Sequence, residues 1–231
     1  MPPRPGPRRT RPPSGGPLDR GRELLESAVS YALGGAVLVS YALDEAALDG
    51  ARPGAPRLLS RPTPCAEWDL EMLLDHVSDS IGMLHEAIAA GGAGAAPPGS
   101  AGLGPDPVAR LRSQAAGLLG ACAAAGPADR RVVIGDRELR ASMVAVTGAI
   151  EITVHGWDIS VACGACRPVP PGLAAILLPI APLLVTAGTR PGLFAGPVQV
   201  PGPASPGDRL VAFLGRQPRP PAAAGSGSRR G

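Results

Sequence analysis

A carboxylate and an imidazole, those of Glu151 and His155, stand four residues apart within a run of mostly apolar residues. On an α-helix, residues four apart project from the same face, so both side chains can reach one partner. Burying an unpaired carboxylate is costly, and Glu151 therefore requires a cation, either a metal ion or an arginine. The pair is a candidate for metal binding, with His76 as the candidate third ligand.

His76 lies at the edge of the apolar stripe of another predicted helix. If that helix packs beside the helix of Glu151 and His155, the three side chains meet. Two imidazoles and one carboxylate are the protein ligands of an open zinc site, in which water or substrate takes the fourth position. The spacing also fits a solvated Glu–His pair or a pair satisfied in the core, so spacing alone leaves both interpretations open.

Three further residues stand near these candidates in the sequence. Asp158, three residues after His155, shares its helix face and either accepts the second ring N–H of a metal-bound imidazole or caps polar neighbours. His85 lies nine residues after His76, about 180° around the helix, and is predicted to be a surface histidine. Trp157 is predicted to pack in the core.

The cysteines are predicted to be structural. Cys163 and Cys166 have the spacing of a redox or metal pair, but no βαβ unit surrounds them, and a zinc site would need two further soft ligands. A functional dithiol is the less favoured interpretation. Cys65 precedes a helix and is predicted to be a small buried hydrophobic residue.

Composition excludes several classes of function. The net charge of +3 resides largely in arginines near the two ends, and the chain has only two Trp, two Tyr and two Phe. A nearly neutral folded part with few aromatic residues is unlike a nucleic-acid-binding surface, so we expect no nucleic-acid partner. The chain also lacks a phosphate-binding glycine motif and a Gly-x-Ser-x-Gly turn, which leaves nucleophilic serine catalysis without support.

The sequence predicts a cytoplasmic protein without membrane spans. The longest apolar run, residues 173–187, is shorter than the roughly 20 residues that cross a bilayer, and Pro179 and Pro182 interrupt it. The N-terminal region does not have the pattern of a secretory signal. Since cytoplasmic thiols stay reduced, the cysteines are expected to be unpaired.

Apolar spacing predicts an all-α protein with four main helices. Residues 1–19 and 218–231 are Pro-, Gly- and Arg-rich and are predicted to be disordered tails of one domain, residues 20–217. A short hairpin around Gly135 and Asp136 is weakly indicated. The four main helices are predicted from Arg20 to about Leu48, along the stripe from Leu70 to Ile88, from Pro107 to about Ala125 and from Ala141 to Ala162. Two further helical segments are predicted from Leu173 to Thr186 and onward from Ser205.

Several motifs of the chain occur together in one known family. They are residues 63–68 (Thr-Pro-Cys-Ala-Glu-Trp), 73–77 (Leu-Leu-Asp-His-Val), 151–158 (Glu-x-x-x-His-Gly-Trp-Asp), 190–198 and 208–216. In this order they resemble the metal-binding proteins of the mycothiol-dependent maleylpyruvate isomerase family, a branch of the DinB-like fold. The resemblance covers the chain from about Glu23 to Pro218.

The resemblance implies a DinB-like four-helix bundle with short C-terminal helices. It also implies that His76, Glu151 and His155 hold a divalent metal, usually zinc, and that a low-molecular-weight thiol, mycothiol, is the cofactor. A metal-held thiolate can add to a small electrophilic substrate, and the outcome is S-transfer or isomerisation.

Two alternatives stay open at this stage. One is a thiol-independent hydrolase or cyclase of a specialised biosynthetic pathway, in which the metal acts as a Lewis acid. The other is a non-catalytic module that binds a metal or a small molecule. A fourth ligand from Cys163, Cys166 or Asp158 that closed the coordination sphere would favour the module.

Overall fold

The computed structural model describes residues 20–32, 34, 58–94, 106–124, 130–165 and 167–218. Within these ranges the protein is mainly α-helical, as the sequence predicts, with one small sheet. The predicted tails, except Pro218, and the second half of the first predicted helix lie outside the described residues. The helices are α1 (residues 21–32, with residue 34 also helical), α2 (Leu70–Ala90), α3 (Pro107–Ala124), α4 (Ala141–Ala162), α5 (Pro171–Leu184) and α6 (Pro206–Phe213).

Helix α2 begins and ends where the local chemistry of the sequence requires. The Asp69 side chain caps its first turn by accepting a hydrogen bond from the Met72 N–H at 2.9 Å. Gly91 ends the helix in the left-handed region, at φ 80°, which costs a glycine little. One face of the helix is buried, and it includes Leu70, Leu73, Leu74, Val77, Ile81, Leu84 and Ile88.

Helix α4 is the central element, as its nearly uniform apolar character predicts. Sixteen of its 22 residues are buried. Its glycines permit close contact with two neighbouring helices: a Cβ on Gly148 would lie 2.6 Å from the Leu84 side chain of α2. A Cβ on Gly156 would lie 3.1 Å from Cα of Ala32 in α1. Helix α4 is therefore held against both helices at short distance.

A sheet of three short strands lies beside the helices. Strands β2 (Arg131–Ile134) and β3 (Arg137–Arg140) form an antiparallel hairpin around Gly135, which confirms the weak hairpin signal. Strand β1 (Gly92–Ala93) pairs with β2 in parallel and directly follows α2. The sequence does not indicate β1, because two residues are too few for an alternating pattern. The all-α prediction is therefore correct for the helical layer and omits this sheet.

The C-terminal helices bring the end of the described chain back to the centre of the protein. Helix α6 is capped by Ser205, whose side chain accepts a hydrogen bond from the Asp208 N–H at 3.0 Å. After α6, Gly215 has φ 85°, and a Cβ there would lie 2.7 Å from the Ala195 carbonyl oxygen. This turn directs Arg216 inward, where its side chain is buried. None of the described helices could cross a membrane.

Candidate metal centre

The structure brings together the three residues that the sequence proposes as metal ligands. His76 lies on α2, and Glu151 and His155 lie on the facing side of α4. One ligand atom from each of the three lies within 4.8 Å of the other two. The His76 Nε2 and Glu151 Oε1 atoms are 3.1 Å apart. Two helices thus supply an imidazole, imidazole and carboxylate set of the kind that binds zinc.

Glu151 is held in its ionised form. Burial raises the pKa of its carboxyl, but the hydrogen bond from His76, the nearby His155 ring and the hydrogen bond from Ser80 lower it, with a net pKa of about 2. The Ser80 hydroxyl donates to Oε1 at 2.6 Å. An ionised carboxylate is the form that coordinates a metal. Among the described residues, its hydrogen-bond partners are His76 and Ser80, and no arginine neutralises it.

Asp158 fixes the orientation of the His155 ring. Its Oδ2 atom lies 3.1 Å from His155 Nδ1, and its side chain is fully buried. Burial raises the pKa of the Asp158 carboxyl, but the hydrogen bonds and charges of His155 and Arg216 hold it below its usual range. A carboxylate that accepts a hydrogen bond from Nδ1 keeps the proton on that nitrogen, which leaves the lone pair of Nε2 free for a metal. This is the arrangement that the sequence offers as one of two roles for Asp158.

Arg216 is a participant that the sequence does not reveal. Its side chain, 5% exposed, donates from Nη2 to Asp158 Oδ2 at 2.8 Å and from Nε to both carboxylate oxygens at 3.3 Å. The guanidinium supplies the positive charge that a buried carboxylate requires. Arg216 stands at the end of the 208–216 motif, but no local pattern indicates which carboxylate it binds.

The surroundings of Cys65 differ from the prediction that it is a small buried hydrophobic residue. Its side chain is half-buried and its surroundings are polar, with Sγ 3.3 Å from Asp158 Oδ2 and 2.9 Å from Arg216 Nη2. Burial, followed by the charge of Asp158, raises the pKa of the thiol to about 12. Cys65 therefore stays protonated, because burial disfavours the thiolate and the Asp158 carboxylate opposes a second negative charge.

Cys65, His155 and Asp158 form a second group with the geometry to hold a metal. In this group the Arg216 guanidinium already lies against both the sulfur and the carboxylate. A second cation in this place would be repelled by the guanidinium, and metal binding also requires the thiolate. The group of His76, Glu151 and His155 is the better candidate.

Trp68 forms an aromatic wall over the two candidate imidazole ligands. Its ring meets His76 edge to face, with centroids 4.7 Å apart, and stacks on His155 at 6.1 Å with an interplanar angle of 23°. The Thr63 hydroxyl, which donates to the Trp68 carbonyl oxygen at 3.0 Å, stabilises the turn that carries this ring. Trp68 belongs to the motif of residues 63–68, but the sequence does not indicate this position of its ring.

The ligand group is accessible from one side. The side chains of His76 and Glu151 are 28% and 30% exposed, whereas His155 is buried. Of the three residues considered as a fourth ligand, Asp158 is bound to Arg216, and Cys163 belongs to neither candidate group. Cys166 lies outside the described residues. In the described part of the chain, the site therefore has three candidate protein ligands, two of which are partly exposed.

The remaining predicted residues have structural roles. His85, expected on the surface, is half-buried against α3, where a Cβ on Gly117 would lie 3.2 Å from its ring. The α2–α3 contact therefore covers part of the ring. Trp157 is buried in the core, as predicted. The described cysteines, Cys65, Cys122 and Cys163, are unpaired, also as predicted.

A surface groove of about 670 Å³ lies elsewhere, beside α5 and α6. It shares no residue with the candidate ligand group, so we do not assign the metal chemistry to it. Its lining is mostly apolar and consists of Pro182, Val185, Ala187, Arg190, Pro191, Phe194, Pro197 and Phe213.

Comparison with known proteins gives one family and two relatives. The family described as "Mycothiol maleylpyruvate isomerase N-terminal domain" matches residues 42–160, a range that contains all three candidate ligands. The uncharacterized proteins Rv0738 and MT0763 of Mycobacterium tuberculosis, from strains H37Rv and CDC 1551, are each 30% identical over 164 residues. The matched region covers 70% of this chain and 86% of each relative. No solved structure matches significantly.

Proposed function

Because the chain belongs to the mycothiol maleylpyruvate isomerase N-terminal domain family, we propose that it is a metal-dependent enzyme that activates a low-molecular-weight thiol. The thiol is mycothiol by family membership, and the metal is a divalent cation, Zn²⁺ by the chemistry of the ligands. The second substrate is a small electrophile. The thiol sulfur either adds to it and stays bound, which is S-transfer, or adds and leaves again, so that a double bond of the substrate isomerises.

The convergence of His76, Glu151 and His155 is the observation that carries this proposal. Their ligand atoms lie within 4.8 Å of one another, although they come from two separate helices. The donor set is two imidazoles and one ionised carboxylate, which matches an open zinc site. The partial exposure of His76 and Glu151 leaves a face by which a small molecule can approach.

The residues around this group have distinct roles in the proposed mechanism. His76, Glu151 and His155 would hold the metal, and Asp158 orients the His155 ring by accepting a hydrogen bond from Nδ1. When bound by these residues, a divalent cation would supply the positive charge that lowers the pKa of a small thiol. The half-buried ring of Trp68 shields the two imidazoles from water on its side.

The mechanism assigns no nucleophile to the protein itself. Cys65 is the described thiol nearest the site, but its pKa of about 12 keeps it protonated at neutral pH. A protonated thiol is a poor nucleophile. The nucleophile is therefore the sulfur of the small thiol.

One experiment separates this proposal from its alternatives. The purified full-length protein is analysed for bound metal, and its zinc-loaded form is then incubated with a panel of electrophiles, with and without mycothiol. We expect about one zinc ion per chain and product only when the thiol is present. The His76→Ala variant should lose both metal and turnover, whereas His85→Ala should keep them.

Three other outcomes of this experiment would contradict the proposal. Turnover without thiol would support the hydrolase or cyclase alternative. Bound metal without turnover of any electrophile would support the binding module. A wild-type protein that binds no divalent metal would overturn the proposal altogether.

A further inference from the structure

Arg216 lies at the end of the described C-terminal segment, yet its side chain is buried at the centre of the protein. The left-handed turn at Gly215 directs it inward from α6. A guanidinium is rarely buried without an anionic partner, because desolvation of the charge is costly. The anionic partner of Arg216 is Asp158, which lies 58 residues earlier in the chain on α4.

The contact between Arg216 and Asp158 fixes the direction of the carboxylate. Two guanidinium nitrogens take part: Nη2 donates to Oδ2 at 2.8 Å, and Nε lies 3.3 Å from both oxygens. The third nitrogen, Nη1, donates to the Leu214 carbonyl oxygen at 2.8 Å. Such a fork restricts the carboxylate in a way that a single point charge does not.

The same carboxylate orients a candidate metal ligand. Asp158 Oδ2 accepts from Arg216 Nη2 and lies 3.1 Å from His155 Nδ1. An acceptor at Nδ1 keeps the proton on that nitrogen and turns Nε2 away from Asp158. Without the fork, Asp158 would keep, among the described residues, only its contacts with Cys65 and His155, both at Oδ2, so the orientation of the imidazole would be fixed less firmly.

We propose that Arg216 is a positioning residue of the metal centre and that it acts through Asp158 on His155. The inference rests on the proposed function, because it requires a divalent cation bound by His155. It makes the segment after α6 part of the metal centre, although that segment contributes no ligand.

Arg190 offers a matched control in the same C-terminal segment. Its Nη1 donates to the carbonyl oxygens of Ala195 and Phe213, and its guanidinium lies 4.9 Å from the centroid of the Phe213 ring. These contacts tie the segment together and do not include Asp158 or a candidate ligand. Arg190→Met therefore tests what removal of an arginine does to this segment while the fork is retained.

The experiment measures metal affinity in the folded full-length protein. Zn²⁺ and Co²⁺ affinities are determined by competition with a chelator, the visible spectrum of bound Co²⁺ is recorded, and far-UV circular dichroism reports folding. We expect Arg216→Met to bind about 10- to 100-fold more weakly, with an altered Co²⁺ spectrum. Arg190→Met should remain within about twofold of the wild type, because the partners of Arg190 are two backbone carbonyls and the Phe213 ring, and none of them is Asp158 or a candidate ligand.

A double-mutant cycle tests whether Arg216 and Asp158 act in series. Asp158→Asn should weaken binding by a similar factor, and adding Arg216→Met to it should cause little further loss, because the two changes break the same connection. If the two losses multiplied, the residues would act independently and the inference would be wrong.

Other results would contradict either the inference about Arg216 or the proposed function. Wild-type affinity and spectrum in Arg216→Met, or an equal loss in Arg190→Met, would overturn the inference while leaving the metal site intact. Absence of metal binding by the wild type would instead refute the proposed function.

If Arg216→Met does not fold, Arg216→Lys is used to test whether Arg216 positions the metal centre. Lysine keeps the positive charge but cannot form the two-nitrogen fork to the carboxylate, so Asp158 would be held less firmly. We expect this variant to bind metal at least about threefold more weakly than the wild type. Wild-type affinity in Arg216→Lys would then overturn the inference.

Discussion

The Nε2 atom of His76 lies 3.1 Å from the Oε1 atom of Glu151, across the interface between α2 and α4. The two residues come from separate helices, and both side chains are partly exposed. His155, one turn beyond Glu151 on α4, completes the group. The α2–α4 interface therefore brings the candidate ligands together, and the first two predictions test whether they hold a metal.

Removing either imidazole should abolish metal binding without unfolding the protein. His76→Ala and His155→Ala each leave two ligands, which is too few for a stable zinc site. The helical core is formed by other residues, so the helical circular dichroism signal should persist. Metal content per chain, measured by elemental mass spectrometry, checks this expectation.

The matched control for this prediction is His85→Ala. His85 lies on the same helix as His76 but contacts α3, outside the ligand group. It should retain full metal content. Full metal content in His76→Ala or His155→Ala would refute the ligand assignment.

Replacing the Glu151 carboxylate with its neutral amide should weaken metal binding strongly. Glu151→Gln keeps the shape of the side chain but removes the negative charge that attracts the cation. The loss of affinity should exceed the roughly 10- to 100-fold typical of residues that only orient ligands. Chelator competition measures the effect.

Ser80→Ala is the comparison for Glu151→Gln. The Ser80 hydroxyl donates to Glu151 at 2.6 Å but is not a member of the ligand group. Its removal should reduce affinity by less than Glu151→Gln does. A Glu151→Gln protein with wild-type affinity would show that the carboxylate is not a ligand.

A methyl group at Gly156 should destabilise the contact between α1 and α4. The added Cβ would lie 3.1 Å from Cα of Ala32 and 3.3 Å from the Tyr31 ring, so the helices would have to separate. We expect Gly156→Ala to lower the free energy of unfolding by about 1–3 kcal/mol, the usual cost of overpacking. Urea denaturation measures this value.

Gly120→Ala should have the opposite effect on the free energy of unfolding. Gly120 lies within α3, and a Cβ there would meet nothing within 4 Å. Because alanine favours a helix over glycine, the free energy of unfolding should rise by about 0.5–1 kcal/mol. Equal effects of the two substitutions would show that the α1–α4 contact is not as close as described.

Tyr31 should make stability fall at high pH. Burial raises the pKa of its phenol to about 12, although the charge of Arg167 and a side-chain hydrogen bond with Ser160 lower it. Since this folded-state pKa exceeds the unfolded value near 10, the stabilisation is complete below pH 10. It is lost as the pH rises from about 10 to about 12.

Two variants make the Tyr31 prediction measurable. In Tyr41→Phe, Tyr31 is the last remaining tyrosine, so the absorbance of tyrosinate reports its ionisation alone. The midpoint should lie near pH 12 in the folded protein. In Tyr31→Phe, the free energy of unfolding should fall less steeply above pH 10 than in the wild type. A midpoint near pH 10 in folded Tyr41→Phe would contradict the prediction.

Local signals in the sequence determined most of the secondary structure. The sequence predicted a helix along the stripe that begins at Leu70, a helix from Pro107 and a helix from Ala141 to Ala162, and α2, α3 and α4 begin at these residues. These features depend on interactions within a few residues, which a sequence displays directly. The i, i+4 spacing likewise placed Glu151 and His155 on one helix face, and the apolar stripe placed His76 at the edge of another helix. The family motifs then indicated the same three residues.

Only the tertiary structure decided what surrounds those side chains. Arg216 reaches Asp158 across 58 residues, and Cys65 reaches the same carboxylate across 93. Trp68 covers His76 and His155 because the turn before α2 lies against α4. Such contacts depend on how distant segments pack, and neither residue type nor spacing encodes their distances. The sequence thus determined the candidate ligands, whereas packing determined their orientation, charge and access to solvent.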